Sequence, residues 1–314
     1  MKKKIGFSGK IRTDPGESLA KGHREVMAAI WREYLQEVCG ASPKSGRFRV
    51  LREAIEAAGN FAQVYEEWND LPPEDRAAAW RRLIQAVKSE LEARSRQCVR
   101  CGECCERSSP TLLTADTALL ESEAISFGEV YTLRAGEKAT DRDGAVVTLK
   151  EERLKVREVP GTRQCWFYRA ADRACRLYEQ RPEQCRRQQC WEEPHPEPAP
   201  EEVLQRRHLF TRVPEVWELI QAHEERCGVE RLAQVLAQVA AGEEEAGDHL
   251  FTALHFDHYL REMLVDEWGL SPATTELLLG RPLKSLLRDW GYRATLTPEG
   301  VFRLSPMCEV PDTP

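Results

Sequence analysis

Long hydrophobic runs are missing from this chain. Its uninterrupted apolar stretches reach only a few residues, far short of the roughly 18 needed to cross a bilayer, so no membrane insertion is expected. The basic opening Met1-Lys2-Lys3-Lys4 is followed by no apolar core, so no secretory signal is read there and a cytoplasmic location is expected. A basic excess is also lacking: the net charge is -7 and the pI near 5.7, which argues against a nucleic-acid binder, since neutralising phosphates needs a basic surface. No G-x-G-x-x-G loop follows a strand, and no P-loop, H-E-x-x-H or G-x-S-x-G sequence occurs. The common nucleotide-binding and hydrolase classes therefore have no support. No repeat of solenoid period is present either.

What is present is a foldable composition, 41% hydrophobic and 31% charged over 314 residues, enough for two or three folded units. Apolar residues recur at helical spacing from Leu19 to Val38, from about Phe48 to Trp68, and after Pro72-Pro73 at Trp80, Leu83, Ile84, Val87 and Leu91. Residues 1–95 are thus expected to be helical. Short strands are expected at Val130–Leu133, Ala145–Leu149 and Arg153–Val156, with Asp143-Gly144 as a hairpin turn between the first two. Residues 192–202 hold four prolines and five glutamates and read as an extended linker. Beyond it, residues 203–314 are expected to be helical, with a helix opened by Pro282 and a terminal hairpin around Pro298-Glu299-Gly300. The expected fold is mainly α with a small antiparallel β element, its cysteine-rich domain at residues 96–191 standing between two helical regions.

Eleven cysteines in a chain without an export signal are unlike a disulfide framework. Eight fall in two groups: Cys98, Cys101, Cys104 and Cys105, then Cys165, Cys175, Cys185 and Cys190. A C-x-x-C pair sets two sulfurs on one tight turn, and Gly102 allows the backbone angles that turn needs. Three cysteines in C-x-x-C-x-x-C order match the opening of a ferredoxin ligand run. All eight are candidate metal ligands, and the spacing favours an iron–sulfur cluster of 4Fe–4S type, with zinc as the alternative. Adjacent Cys104 and Cys105 diverge, so one of them is the expected non-ligand. Pro182 is placed to open a helix with Cys185 in its first turn. Seven arginines and no lysine lie between Gly161 and Cys190. They either offset the charge of a thiolate-ligated centre or form a solvated face.

The run Cys98 to Cys105, then Cys165-Trp-Phe-Tyr168, then Cys175-Arg-Leu-Tyr178-Glu-Gln-Arg181-Pro182-Glu-Gln-Cys185-Arg186 and Cys190, resembles the CxxCxxCC cysteine-cluster family, also called YkgJ-like proteins. The resemblance implies a zinc- or iron-chelating domain. The chain departs from the family at Gln164, where proline is frequent, and at Gln188-Gln189, where Phe-Pro is frequent. Flagellin lysine N-methylases are similar in their cysteine pattern, which implies a protein-modifying enzyme as one alternative. The sequence leaves three functions open: a redox or electron-transfer protein, a cluster-dependent modifying enzyme, and a zinc scaffold, each with a protein partner or substrate. His255, His258, Glu262 and Asp266 share one helix face, but no matching Glu-x-x-His motif is read on another helix. Cys39, Cys227 and Cys308 are isolated and read as buried or incidental thiols.

Overall fold

A computed structural model describes residues 16–141, 144–191 and 198–307. The chain is mainly α, and among the described residues its sheets are small two-stranded antiparallel ones. It divides into two compact units, the first holding residues 1–103, 169–174 and 188–196 and the second residues 104–168, 175–187 and 197–314. Among the described residues no helix is long and apolar enough to cross a membrane.

The first unit is built from α1 (Gly16–Lys21), α2 (Arg24–Val38), α3 (Gly46–Ala58), α4 (Phe61–Glu67) and α5 (Pro73–Arg94). Each apolar stripe read from the sequence faces one core. Trp31, Trp68 and Trp80 are fully buried there with Met27, Leu35, Leu51, Ile55 and Leu83. Trp31 stacks on Phe61 at 5.5 Å and meets Trp80 edge-on at 5.7 Å, offset geometries that the ring quadrupoles favour. The indole N–H groups of Trp31 and Trp68 donate to Glu56 and to the Gly22 carbonyl, so little polar cost offsets the burial of these two rings, each of which would cost roughly 3–5 kcal/mol to truncate to alanine, whereas the buried Trp80 Nε1 has no hydrogen-bond partner. Local signals set the helix starts. The Ser45 hydroxyl accepts from the Phe48 amide at α3, and Pro73 with Glu74 and Asp75 opens α5. At Gly59 an added Cβ would lie 3.0 Å from Leu83 Cδ2, so glycine there lets the end of α3 close against α5.

The second unit begins in α6 (Glu103–Arg107), whose first residue belongs to the first unit, and continues through α7 (Thr117–Glu121) to β1 (Val130–Leu133), β2 (Lys138–Thr140), β3 (Val146–Thr148) and β4 (Arg153–Val156). The pairing differs from the one the turn signal suggested: β1 pairs with β4, and β3 pairs with β2. Asp143 lies outside the described residues. β2 was not legible because Lys138, Ala139 and Thr140 carry no alternating apolar face. The remaining elements are β5 (Tyr168–Arg169), β6 (Ala174–Cys175), α8 (Glu183–Arg187), α9 (Arg206–Phe210), α10 (Pro214–Cys227), α11 (Val229–Ala240), α12 (Glu244–Asp266), α13 (Pro272–Leu279), α14 (Leu283–Leu286), β7 (Tyr292–Leu296) and β8 (Phe302–Pro306). The last two form the expected terminal hairpin.

Two cores fill this unit. One gathers Leu112, Val130, Leu154, Val156, Phe167, Leu204, Leu264 and Leu277 beneath β1 and β4, and the other joins α11, α12, α14 and Phe302. The buried Thr132 hydroxyl donates to the Leu277 carbonyl at 2.6 Å, which locks α13 onto β1. Charged side chains are also buried. Arg206 donates to Glu152 and Glu224, and Arg134 to Glu137, which also takes Arg281. Arg134, Glu137 and Arg206 are each almost wholly inaccessible, and the attraction and hydrogen bonds within these pairs offset the hydration that the buried groups lost.

Candidate metal centre

The sequence brings Cys98 and Cys101 onto a turn at the end of α5. Arg100 and Gly102, flanking Cys101, both have left-handed backbone (φ 58° and 84°), the conformation a tight C-x-x-C turn requires and the one glycine adopts freely. Gly46 makes room for it. A Cβ there would stand 3.3 Å from Cys101 Cβ and 3.4 Å from its carbonyl oxygen. The Gly46 amide donates to Glu103 Oε2 at 3.2 Å. Arg47, next to it on α3, is buried and donates to the carbonyls of Arg94, Ser95 and Gln97, the residues that lead into Cys98. The same guanidinium lies 3.8 Å from Cys190 Sγ and 5.0 Å above the Trp191 ring. The first unit thus carries Cys98, Cys101 and Cys190.

The second unit carries the other five. Cys104 and Cys105 sit on α6 with their sulfurs 3.8 Å apart. The Cys165 amide donates to the Cys105 carbonyl at 2.7 Å, and residues 157–166 form a small loop closed by Val159 to Gln164 and Trp166 to Arg157 backbone bonds. Cys175 ends β6. Cys185 is borne by α8, whose Glu183 amide donates to Asp116 Oδ1 while the Gln184 side chain accepts from the Thr111 amide. Asp116 is itself buried and takes the Leu113 amide with its other oxygen. One carboxylate thereby ties the Cys185 helix to the segment that follows α6.

These thiols interact electrically. Cys105 is driven far above the ordinary thiol range, first by its contact with Cys104, then by burial, then by the charges of Cys104, Cys165 and Cys185. Burial pushes Cys165 up to about 11, with Cys175 and Cys104 adding to it and the Phe167 amide opposing. Burial likewise holds Cys185 well above its usual value, reinforced by Cys165, Cys104 and Cys175 and opposed by Arg181. Each thiolate makes the next harder to form, and a cation among them reverses that balance. Phe167, Tyr168 and Leu177 are buried against Cys165, with Cys105 and Cys175 at the edge of the same cluster, so the surroundings are dry. Soft sulfur donors in a dry wall suit zinc or iron. Among the described residues no set of three or more Cys, His, Asp and Glu side chains is already arranged to hold an ion; the thiols are gathered without converging on one point.

The other predicted features take structural places. His255 stacks on Tyr259 and meets Phe302 edge-on, and His258 packs on Phe302 with its Nε2 3.3 Å from Glu262. Of the arginine run, Arg163 donates to the Asp141 carbonyl, Arg169 pairs with Asp172, Arg176 with Glu129, and Arg187 with Glu183 and Glu202. Cys227 is buried, its thiol pushed up to about 12 by burial, and Cys39 is half-buried and pushed up to about 11 for the same reason. Cys308 lies outside the described residues. Sequence reasoning missed Arg47 and Asp116, because neither stands near a cysteine along the chain or belongs to a motif.

Residues 97–203 match the family model CxxCxxCC, described as "Putative zinc- or iron-chelating domain". That segment, about a third of the chain, is similar to this domain, and metal chelation is the function the family description gives it. Residues 1–96 and 204–314 lie outside the match. No curated protein and no solved structure matches the chain, so the likeness to flagellin lysine N-methylases has no match behind it.

Proposed function

We propose that the cysteine-cluster domain holds an iron–sulfur cluster of 4Fe–4S type through thiols drawn from Cys98, Cys101, Cys104, Cys105, Cys165, Cys175, Cys185 and Cys190, and that the protein transfers electrons with a protein partner in the cytoplasm. The observation that carries this reading is the gathering of Cys104, Cys105, Cys165, Cys175 and Cys185 in one unit, from segments well separated along the chain. The C-x-x-C-x-x-C order of Cys98, Cys101 and Cys104 supports the cluster over zinc, because it matches the opening of a ferredoxin ligand run. When bound, such a cluster supplies a one-electron couple whose potential follows from net charge and hydrogen bonding at sulfur. The chain's part is to deliver thiolates, exclude water with Phe167, Tyr168 and Leu177, and orient Cys185 through Asp116.

A second reading, structural zinc, is favoured by the Cys98-x-x-Cys101 turn, with Arg100 and Gly102 in the left-handed conformation, since two ligands from one such loop are typical of zinc. Anaerobic purification followed by iron, sulfide and zinc analysis and a visible spectrum separates the two. Brown protein with iron and acid-labile sulfide is expected. Colourless protein with stoichiometric zinc overturns the cluster and leaves the scaffold.

A further inference from the structure

Arg47 is a buried cation with an unusual set of partners. Its Nη1 donates to the Gln97 carbonyl at 3.0 Å and to Cys190 Sγ at 3.8 Å, and its Nη2 to the carbonyls of Arg94 and Ser95 at 3.2 and 2.5 Å. Only 6% of its surface is accessible. Among the described residues no carboxylate pairs with it, whereas the equally buried Arg134 and Arg206 each hold a glutamate. Three neutral carbonyls satisfy hydrogens but leave the charge of the guanidinium unmatched, and a buried unmatched charge is costly. Among its hydrogen-bond acceptors, the Cys190 sulfur is the single group able to carry a full negative charge. The Trp191 face, 5.0 Å away, adds a cation–π contribution.

We propose that Arg47, which lies on α3 outside the matched domain, is a positioning residue of the metal centre: its guanidinium, fixed by three backbone carbonyls, holds the Cys190 sulfur in place for ligation through a hydrogen bond. This rests on the reading that the domain binds metal through its cysteines. Hydrogen bonds to a ligating atom fix its orientation and tune its basicity, and their loss typically costs about 10- to 100-fold in metal affinity. An arginine that served only as a cap on the carbonyls after α5 would act on folding and be indifferent to the identity of residue 190.

A double-mutant cycle on the full-length, metal-loaded protein separates these roles. Metal release to a chelator is followed for wild type, Arg47→Gln, Cys190→Ser and the double variant, with thermal unfolding recorded beside it; Arg47→Lys, which keeps the charge and loses the fork, replaces Arg47→Gln if the latter does not fold. Faster release by about 10-fold or more is expected for each single variant, with the double variant no faster than Cys190→Ser alone. Equal release by wild type and both Arg47 variants, or effects of Arg47 that persist in full in the Cys190→Ser background, would overturn the proposal while leaving metal binding intact. Wild-type protein that retains no metal would instead remove the functional reading itself, and this assignment with it.

Discussion

The backbone amide of Cys165 donates to the carbonyl of Cys105 at 2.7 Å, so the first cysteine group is tied to the second by main chain before any side chain is considered. Cys105 and Cys165 are therefore held close by the fold, as the proposed metal site requires.

Ligand loss should be felt as lost stability. Cys185→Ala and Cys101→Ala are each expected to retain less than half of the wild-type metal and to melt earlier when purified with metal, because binding energy is also folding energy. Metal analysis and calorimetry read both effects. Full occupancy in both variants would remove these two residues from the ligand set.

Asp116 should matter more than an ordinary capping residue. Its two oxygens serve the amides of Leu113 and Glu183 from a buried position, so Asp116→Ala leaves two donors without their acceptor, at about 1–3 kcal/mol each. Urea unfolding should show that loss, and the metal content should fall as α8 loses its anchor. Unchanged metal retention in a destabilised Asp116→Ala protein would restrict the residue to folding.

The Arg206 network gives a prediction free of metal. Arg206 is 2% exposed and donates to Glu152, Glu224 and the Leu278 carbonyl. Arg206→Ala strands two carboxylates in a poorly solvated place and is expected to cost roughly 3–5 kcal/mol. A chemical-denaturation midpoint close to that of wild type would contradict it.

Acid should weaken the second unit through His223. Burial lowers its pKa against the pull of Asp257, 2.9 Å from its Nε2, and its buried Nδ1 has no hydrogen-bond partner. The native state thus keeps the ring neutral while the unfolded chain takes a proton below about 6.5. The stability from this group is present above that pH and lost as pH falls toward the lowered native value. Asp257 acts in the same direction at lower pH: burial opposes its ionisation, yet the bonds from His223 and Arg261 hold its carboxyl below the usual range. Melting temperatures from pH 7.5 to 5 should fall in wild type and fall less in His223→Gln; equal slopes would refute this.

Much of the local structure was legible. The helical stripe around Trp31 and Trp80, the Pro72-Pro73 start of α5, the strands at Val130–Leu133 and Arg153–Val156 and the hairpin after Gly291 are period and turn signals, which act over a few residues. β2 escaped because a polar three-residue strand has no period. The candidate ligands were legible as well, since thiol identity and C-x-x-C spacing are written directly in the chain.

The sequence by itself determined which groups could bind a metal, the mainly α character of the chain and the absence of a long apolar helix. The tertiary structure alone decided which thiols belong together, with Cys104, Cys105, Cys165, Cys175 and Cys185 in one unit and Cys98, Cys101 and Cys190 in the other. It also decided that a guanidinium at Cys190 comes from Arg47, far away along the chain. The reason is physical: spacing constrains atoms a turn or two apart, whereas Asp116 and Arg47 reach their partners only after the cores around Leu154 and Trp31 have folded the intervening chain back on itself.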